Sequence, residues 1–182
     1  KKYGVEIEVL SSFERVKGTI VKEVANMEKM LIKGVARDND VARISLIEVK
    51  DAPGTAFRIF SLLAKNKINV DIILQSIGRG NTKDISFTVN ESKLQETLDL
   101  LEANKEKIGA RAIDHTEDVS KVSIVGAGMV NNPGVAAMMF EALADSGINI
   151  RMISTSEIKV SVLIDEKDAE KAVVAIHDKF LG

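Results

Sequence analysis

Two short phrases hold the residues best suited to binding chemistry: KDAPGTAF, from Lys50 to Phe57, and VNNPGVAA, from Val130 to Ala137. They contain the only two prolines of the chain, and glycine follows each. Proline is tolerated at the start of a helix, where its missing N–H would be unpaired anyway, so each phrase reads as a loop running into a helix. N–H groups at such a start point outward with partial positive charge and can hold a carboxylate. Gly54 and Gly134 have no Cβ, which lets a ligand approach that backbone closely. Asp51 and Asp71, beside the first loop and the strand after its helix, are suited to an ammonium group. Amides and hydroxyls of Asn69, Gln75, Asn149, Ser154 and Thr155 would complete a small polar pocket between modules. Together these are the groups that a free amino acid requires. The same residues also fit a structural role, in which Pro-Gly starts a helix and Asn turns the chain into the next strand.

Other chemistry is thin. The chain of 182 residues has no cysteine, which removes disulfides, thiolate nucleophiles and sulfur-ligated metals together. His115 and His177 lie far apart in sequence and read as surface residues rather than a catalytic group or metal cluster. No GxxxxGK[ST] phosphate loop occurs, and VGAGMV offers a GxG without the third glycine of a dinucleotide loop. Gly126 and Gly128 therefore read as a strand-to-helix loop, with a nucleotide-binding α/β enzyme as the alternative function. Glu166, Asp168 and Glu170 read as a solvated helix face, and Met138 and Met139 as packing. A net charge of −2, from 25 basic and 27 acidic residues, gives no general attraction to nucleic acid or anionic membranes. The strands offer Phe87 as their aromatic, too little for base stacking, and no apolar run approaches the roughly 20 residues of a membrane span. The expected partners thus include neither nucleic acid nor membrane. Because the chain opens at Lys1 without Met, it is expected to be a fragment or processed product.

The elements that must position the two phrases come from a duplication. Sliding the chain by 80 residues sets Pro53 on Pro133, and ten of 24 positions from there are identical. ARISLIEV and KVSIVG alternate as strands. Ala56, Ile59, Phe60 and Leu63, and again Ala136, Met139, Phe140 and Leu143, follow helical spacing with one buried face, and Asn132 is a plausible N-cap. INVDIIL and INIRMIS predict second strands, and DISFTV and IKVSVLI third strands. Second helices run through Leu94, Leu98 and Leu101, and through Ala169, Val173 and Ile176. The order β, α, β, β, α needs one more strand for a ferredoxin-like βαββαβ unit, and GARAIDH supplies it in the first copy. The second copy ends at Gly182 with none left, so LIKGVAR, ahead of the first copy, is expected to complete it and to close an edge otherwise open to association. The fold class is then α+β, with the first module inserted into the second.

The D-x-PG-x-A…F…LA…IN-V/I-D pattern resembles the ACT domain, a small-molecule-binding regulatory module. VSIVGAGMVNNPGVAAMMFEAL with ISTSEIKVSVLI, and INVDIILQS with DISFTV, resemble the tandem ACT region of aspartate kinases. KYGVEIEVLSSF and GTI resemble the last strand of the kinase catalytic domain and its linker. The resemblance divides the chain into 1–30, the end of a catalytic domain and linker; 39–118, a first ACT module; and 31–38 plus 119–182, a second. It implies ATP-dependent phosphorylation of the aspartate β-carboxyl, feedback inhibition by lysine and/or threonine, a cytoplasmic location, a homodimer through ACT modules, and effectors at module interfaces. Carried over by position, effector contacts fall on Asp51, Gly54, Ala56, Asp71 and Gln75, and on Met129, Asn132, Gly134, Val135, Thr155 and Glu157. Asn69 and Asn149 join them from the polar set above. The copies differ: LQSI stands against STSE, and Arg151 occupies the place of Asp71, where it would repel an ammonium. Lys50 to Ala56 is thus expected to frame the more competent site, and Asn131 to Val135 a different or mainly structural one. VKGT lacks the proline common in the family, and the lysine-rich nucleotide motif is absent. No catalytic site, metal or cofactor is expected here; ATP and Mg belong to a catalytic domain or subunit elsewhere.

Overall fold

Each copy of the repeat folds as strand, helix, strand, strand, helix, and the two copies take their fourth strand from different sides in sequence. The computed structural model describes residues 7–9, 19–21, 31–76, 78, 80–127 and 134–182. At its start β1 (Ile7–Val9) pairs antiparallel with β2 (Thr19–Val21), and β3 (Leu31–Asp38) follows. The first module comprises β4 (Ala42–Lys50), α1 (Thr55–Lys65), β5 (Ile73–Gln75), β6 (Thr82–Val89), α2 (Leu94–Ala103), the short α3 (Lys105–Ile108) and β7 (Ala112–Thr116). The second comprises β8 (Val119–Ala127), α4 (Val135–Asp145), β9 (Met152–Thr155), β10 (Lys159–Asp165) and α5 (Ala169–Leu181). The sheets run β5-β6-β4-β7 and β3-β8-β10-β9, all antiparallel. In the second sheet β3 fills the place beside the first strand of the module that β7 fills in the first. Both are therefore ferredoxin-like sheets, and the first module sits in the chain between β3 and the rest of the second.

Alternation and helical spacing explain the cores. Ile44, Leu46, Ile85 and Phe87 point to one face of the first sheet and meet Ile59 and Leu63 of α1 and Leu101 of α2. Val122, Ile124, Val160 and Val162 do the same against Met139 and Leu143 of α4 and Ile176 of α5. Phe60 meets Phe87 edge to face at 5.6 Å. Phe87 is thereby buried under a helix, not displayed on the sheet. Buried hydroxyls are paired, Ser45 with Ser86 at 2.8 Å and Ser123 with Ser161 at 2.7 Å. No described helix is long and apolar enough to cross a membrane.

The helix starts differ from the sequence reading by one step. Gly54 holds the N-cap position of α1 and Gly134 that of α4, with φ of 84° and 103°; Pro53 lies in the turn ahead rather than in the first helical turn. The buried face of α1 begins at Thr55, and Ala56 is exposed. Asn132, expected as a cap, and Met129 lie outside the described residues. The second strand of the first copy is also shorter than INVDIIL suggests. Asp71 and Ile72 are held to Thr88 by backbone bonds (Asp71 N–H to the Thr88 carbonyl, 3.2 Å; Thr88 N–H to that of Ile72, 3.0 Å) before the ladder begins at Ile73.

Between the modules a third, smaller apolar cluster gathers Val41 and Ile72 from the inserted side with Val119, Met152 and Leu163 from its host. The chain crosses this junction twice, at residues 39–41 and 117–118.

Candidate functional site

The loop from β4 into α1 is built to keep its backbone open. Asp51 donates its N–H to the Asn81 carbonyl at 2.8 Å, and buried Thr55 donates its hydroxyl to the Lys50 carbonyl at 3.1 Å while accepting from Arg58 at 3.0 Å. These bonds hold Ala52 to Gly54 as a turn. Gly54 stands in a left-handed conformation that favours glycine, with nothing within 4 Å of where a Cβ would be. No side chain caps α1; the Thr55 N–H is taken by the Ala52 carbonyl at 3.2 Å, and the helix start keeps its partial positive charge. Asp51 is half exposed, and its carboxylate meets the Lys83 ammonium at 2.6 Å. Ala56 is exposed on the first turn, and Gln75 closes the exposed edge strand β5.

Asp71 and Asn69 lie elsewhere. Asp71 is set by Thr88 near the end of β6 and Asp51 by Asn81 just ahead of it, seven residues apart, or roughly 23 Å of extended chain. Within one chain the two acids therefore do not converge on one ligand. Asp71 reaches across the junction: Lys121 of β8 donates to it at 2.6 Å and meets Asp38 of β3 at 2.9 Å. The bond from Lys121 holds the Asp71 carboxyl below the usual carboxylate range against the opposing effect of burial. For Lys121, burial pulls the ammonium down, and the bonds to Asp71 and Asp38 outweigh it and leave it above its ordinary value.

The second copy repeats the loop with other polar groups. Gly134 again has a left-handed φ with open space above it, Val135 is buried where the first copy has Thr55, and α4 has no side-chain cap. Thr155 ends β9 on that side and Glu157 lies in the turn to β10, both exposed. Asn149 is exposed at the opposite end, as Asn69 is. There Arg151 grips Asp165 of its own module, Nε at 2.8 Å and a terminal nitrogen at 3.3 Å. That bond raises the guanidinium and lowers the carboxyl from their ordinary values. Arg151 thus turns inward to its own sheet where Asp71 reaches out to the other. An open cleft of about 700 Å³ lies beside it, lined by Thr116, Asp118, Arg151, Asp165, Glu166 and Lys167.

VGAGMV does not begin as a phosphate loop, because Gly126 lies within β8 and its N–H donates to the Ile158 carbonyl at 2.9 Å. His115 and His177 are both exposed, beside Glu117 and Asp178. Sequence reasoning missed Lys83, Lys121 and Asp38. Each sits on a strand whose alternation places it, but their partners lie far away in sequence and carry no local signal.

Comparisons agree with this architecture. Residues 43–106 and 122–180 each match a family described as "ACT domain". An aspartokinase of Bacillus sp. (strain MGA3) is 44% identical over 181 residues, which is 99% of this chain and 44% of that protein, so the chain spans less than half the length of that relative. Among solved structures, aspartokinase alpha and beta subunits match with 48% identity and a TM-score of 0.76, over 82% of this chain and 98% of the other. The ligand-free regulatory subunit of aspartate kinase from Thermus thermophilus matches with 42% identity and a TM-score of 0.78, over 82% and 99%. With two ACT folds, one inserted in the other, and such relatives along its length, the chain belongs to the aspartate kinase family and corresponds to its regulatory ACT region.

Proposed function

We propose that this chain is the amino-acid sensor of an aspartate kinase, taking lysine and/or threonine at the loop from β4 into α1. The observation that carries the reading is the repeated left-handed glycine before an uncapped helix, with open space over the backbone in both copies. A carboxylate suits the N–H groups of that helix start, and Asp51 in the first copy adds an acceptor for an ammonium. Its present partner, Lys83, is an internal ammonium in the place a ligand's would take.

The same reading gives Gly54 and Ala56 the close backbone approach, Gln75 an amide at the neighbouring edge, and Asn69 and Asp71 a place at the opposite end of the module. In the second copy Gly134, Val135, Thr155 and Glu157 would frame a site of different charge, with Asn149 at the far end; Met129 and Asn132 join the reading from the sequence alone. The edge strands β5 and β9, with Ile73, Leu74 and Ile153 exposed, suit pairing with a second copy, which would bring the opposite ends of two modules together. The signal would pass to a cytoplasmic catalytic domain or subunit that uses ATP and Mg to phosphorylate the aspartate β-carboxyl. The test is thermal unfolding: lysine or threonine is expected to raise the melting temperature by linkage, and ATP with Mg is not. Stabilisation by ATP and by neither amino acid would overturn the reading.

A further inference from the structure

The inserted module has its own core, its own four-stranded sheet, and two chain crossings to its host. Among the described residues, thirteen buried ones form each module core, whereas five form the cluster between modules. Apolar burial alone therefore holds each module far more firmly than it holds the two together. What else spans the junction decides whether they move as one body.

Lys121 spans it. It stands in β8 directly opposite Leu163 of β10 on one side and Asp38 of β3 on the other. Its neighbours Val122 and Ile124 alternate about Ser123; Val122 and Ile124 face the helices, so Lys121 and Ser123 lie on the other face. Its side chain is 15% exposed, and the ammonium bonds Asp71 of the inserted module and Asp38 of the host strand at the start of the first crossing. One ammonium thus lies between two carboxylates. Were it withdrawn, Asp38 and Asp71 would be left as like charges across the junction with no shared counter-ion, and repulsion would add to the lost attraction. The preceding residue reinforces the arrangement, since the Ser120 hydroxyl bonds the Asp38 carbonyl at 3.2 Å and the Asn39 side chain at 2.7 Å. On the inserted side Asp71 is followed directly by Ile72, a member of the small junction cluster. The bond to Lys121 and the apolar contact therefore act on adjacent residues of one segment.

We infer that Lys121 is a latch holding the inserted module against its host, and that its ammonium group, rather than the packing of its stem, does the holding. Opening the latch frees the segment of Asp71 and Ile72 while leaving both module cores folded.

Amide hydrogen exchange on the whole chain tests this, because the N–H groups of Asp71 and Ile72 are bonded to Thr88 and report opening of that segment. Lys121→Met keeps most of the stem and removes the charge; exchange at Asp71 and Ile72 is expected to rise on the order of threefold to fivefold, with Ile85 to Phe87 and Val122 to Ile124 unchanged. Lys121→Ala is expected to show the same rise, and millimolar propylammonium should reverse it by placing an ammonium between the two acids. Tetramethylammonium, which has no N–H to donate, should not. Unchanged exchange in Lys121→Met, or a rise in Lys121→Ala that propylammonium does not reverse, would overturn the latch. A rise spread over the module cores would equally overturn it, by showing that Lys121 supports the second sheet itself.

Discussion

Gly54 and Gly134 occupy the same place in the two copies, each left-handed, at φ of 84° and 103°, and each with open space where a side chain would begin. Steric room therefore does not explain why glycine stands there; backbone conformation does. Gly54→Ala and Gly134→Ala are expected to lower stability by about 1–2 kcal/mol each, the cost of a left-handed non-glycine residue. Thermal melts of the two variants check this, and a change within experimental error would mean the loop relaxes into another conformation.

The helix ends offer the converse case. Gly147 follows α4 at φ 67°, and its counterpart Lys67 follows α1 at φ 58° with the same backbone bonds: Lys67 N–H to Ala64, Gly147 N–H to Ala144. Lys67→Gly removes the left-handed penalty at the expense of a more flexible unfolded chain. It is expected to stabilise by about 0.5–1 kcal/mol, whereas Gly147→Ala should destabilise by about 1 kcal/mol or more. Denaturant midpoints with unchanged slope check both.

These pairs show why much of the fold could be read in the sequence. A duplication makes every local signal appear twice, so strand alternation in ARISLIEV and KVSIVG and helix spacing after KDAPG and VNNPG reinforce each other, and the missing fourth strand points to LIKGVAR. The errors were of one residue at the helix starts, because Pro-Gly fits both a first turn and the turn ahead of it. The candidate site was less legible. Asp51 beside the first loop and Asp71 beside the following strand look suited to one ligand in sequence, yet their backbone partners, Asn81 and Thr88, stand at opposite ends of β6. The lysines that partner them, Lys83 and Lys121, belong to strands 32 and 50 residues further along. Long-range ion pairs leave no periodic trace.

The latch bears on ligand affinity. An effector whose ammonium takes Asp71 must displace Lys121, so Lys121→Met should bind that amino acid about threefold to tenfold more tightly, and Asp71→Asn should bind it more weakly. Titration calorimetry on the three proteins checks the order. Weaker binding by Lys121→Met would place Lys121 among the groups that hold the ligand.

The pH dependence follows from the directions of shift. Asp71 is held below its ordinary value by Lys121, so its contribution to stability is present above about pH 4 and is lost as pH falls through the lower folded value. Lys159 adds to the same field, and Asp38 shares the ammonium. The melting temperature difference between the parent chain and Asp71→Asn should therefore be constant from about pH 5 to pH 8 and shrink below about pH 4. For a half-exposed pair the plateau should correspond to no more than about 1 kcal/mol. A difference that persists undiminished to pH 2 would contradict the ionic origin of the effect.

Titration calorimetry with lysine and with threonine, separately and together, on the parent chain and on Asp51→Asn tests the sensor reading most directly. Saturable binding of at least one of the two, weakened about tenfold or more by Asp51→Asn, is the expected result. The two ligands together should reveal through their mutual effect whether the modules are coupled. No binding of either amino acid, or binding indifferent to Asp51→Asn, would contradict the site proposed at the β4–α1 loop.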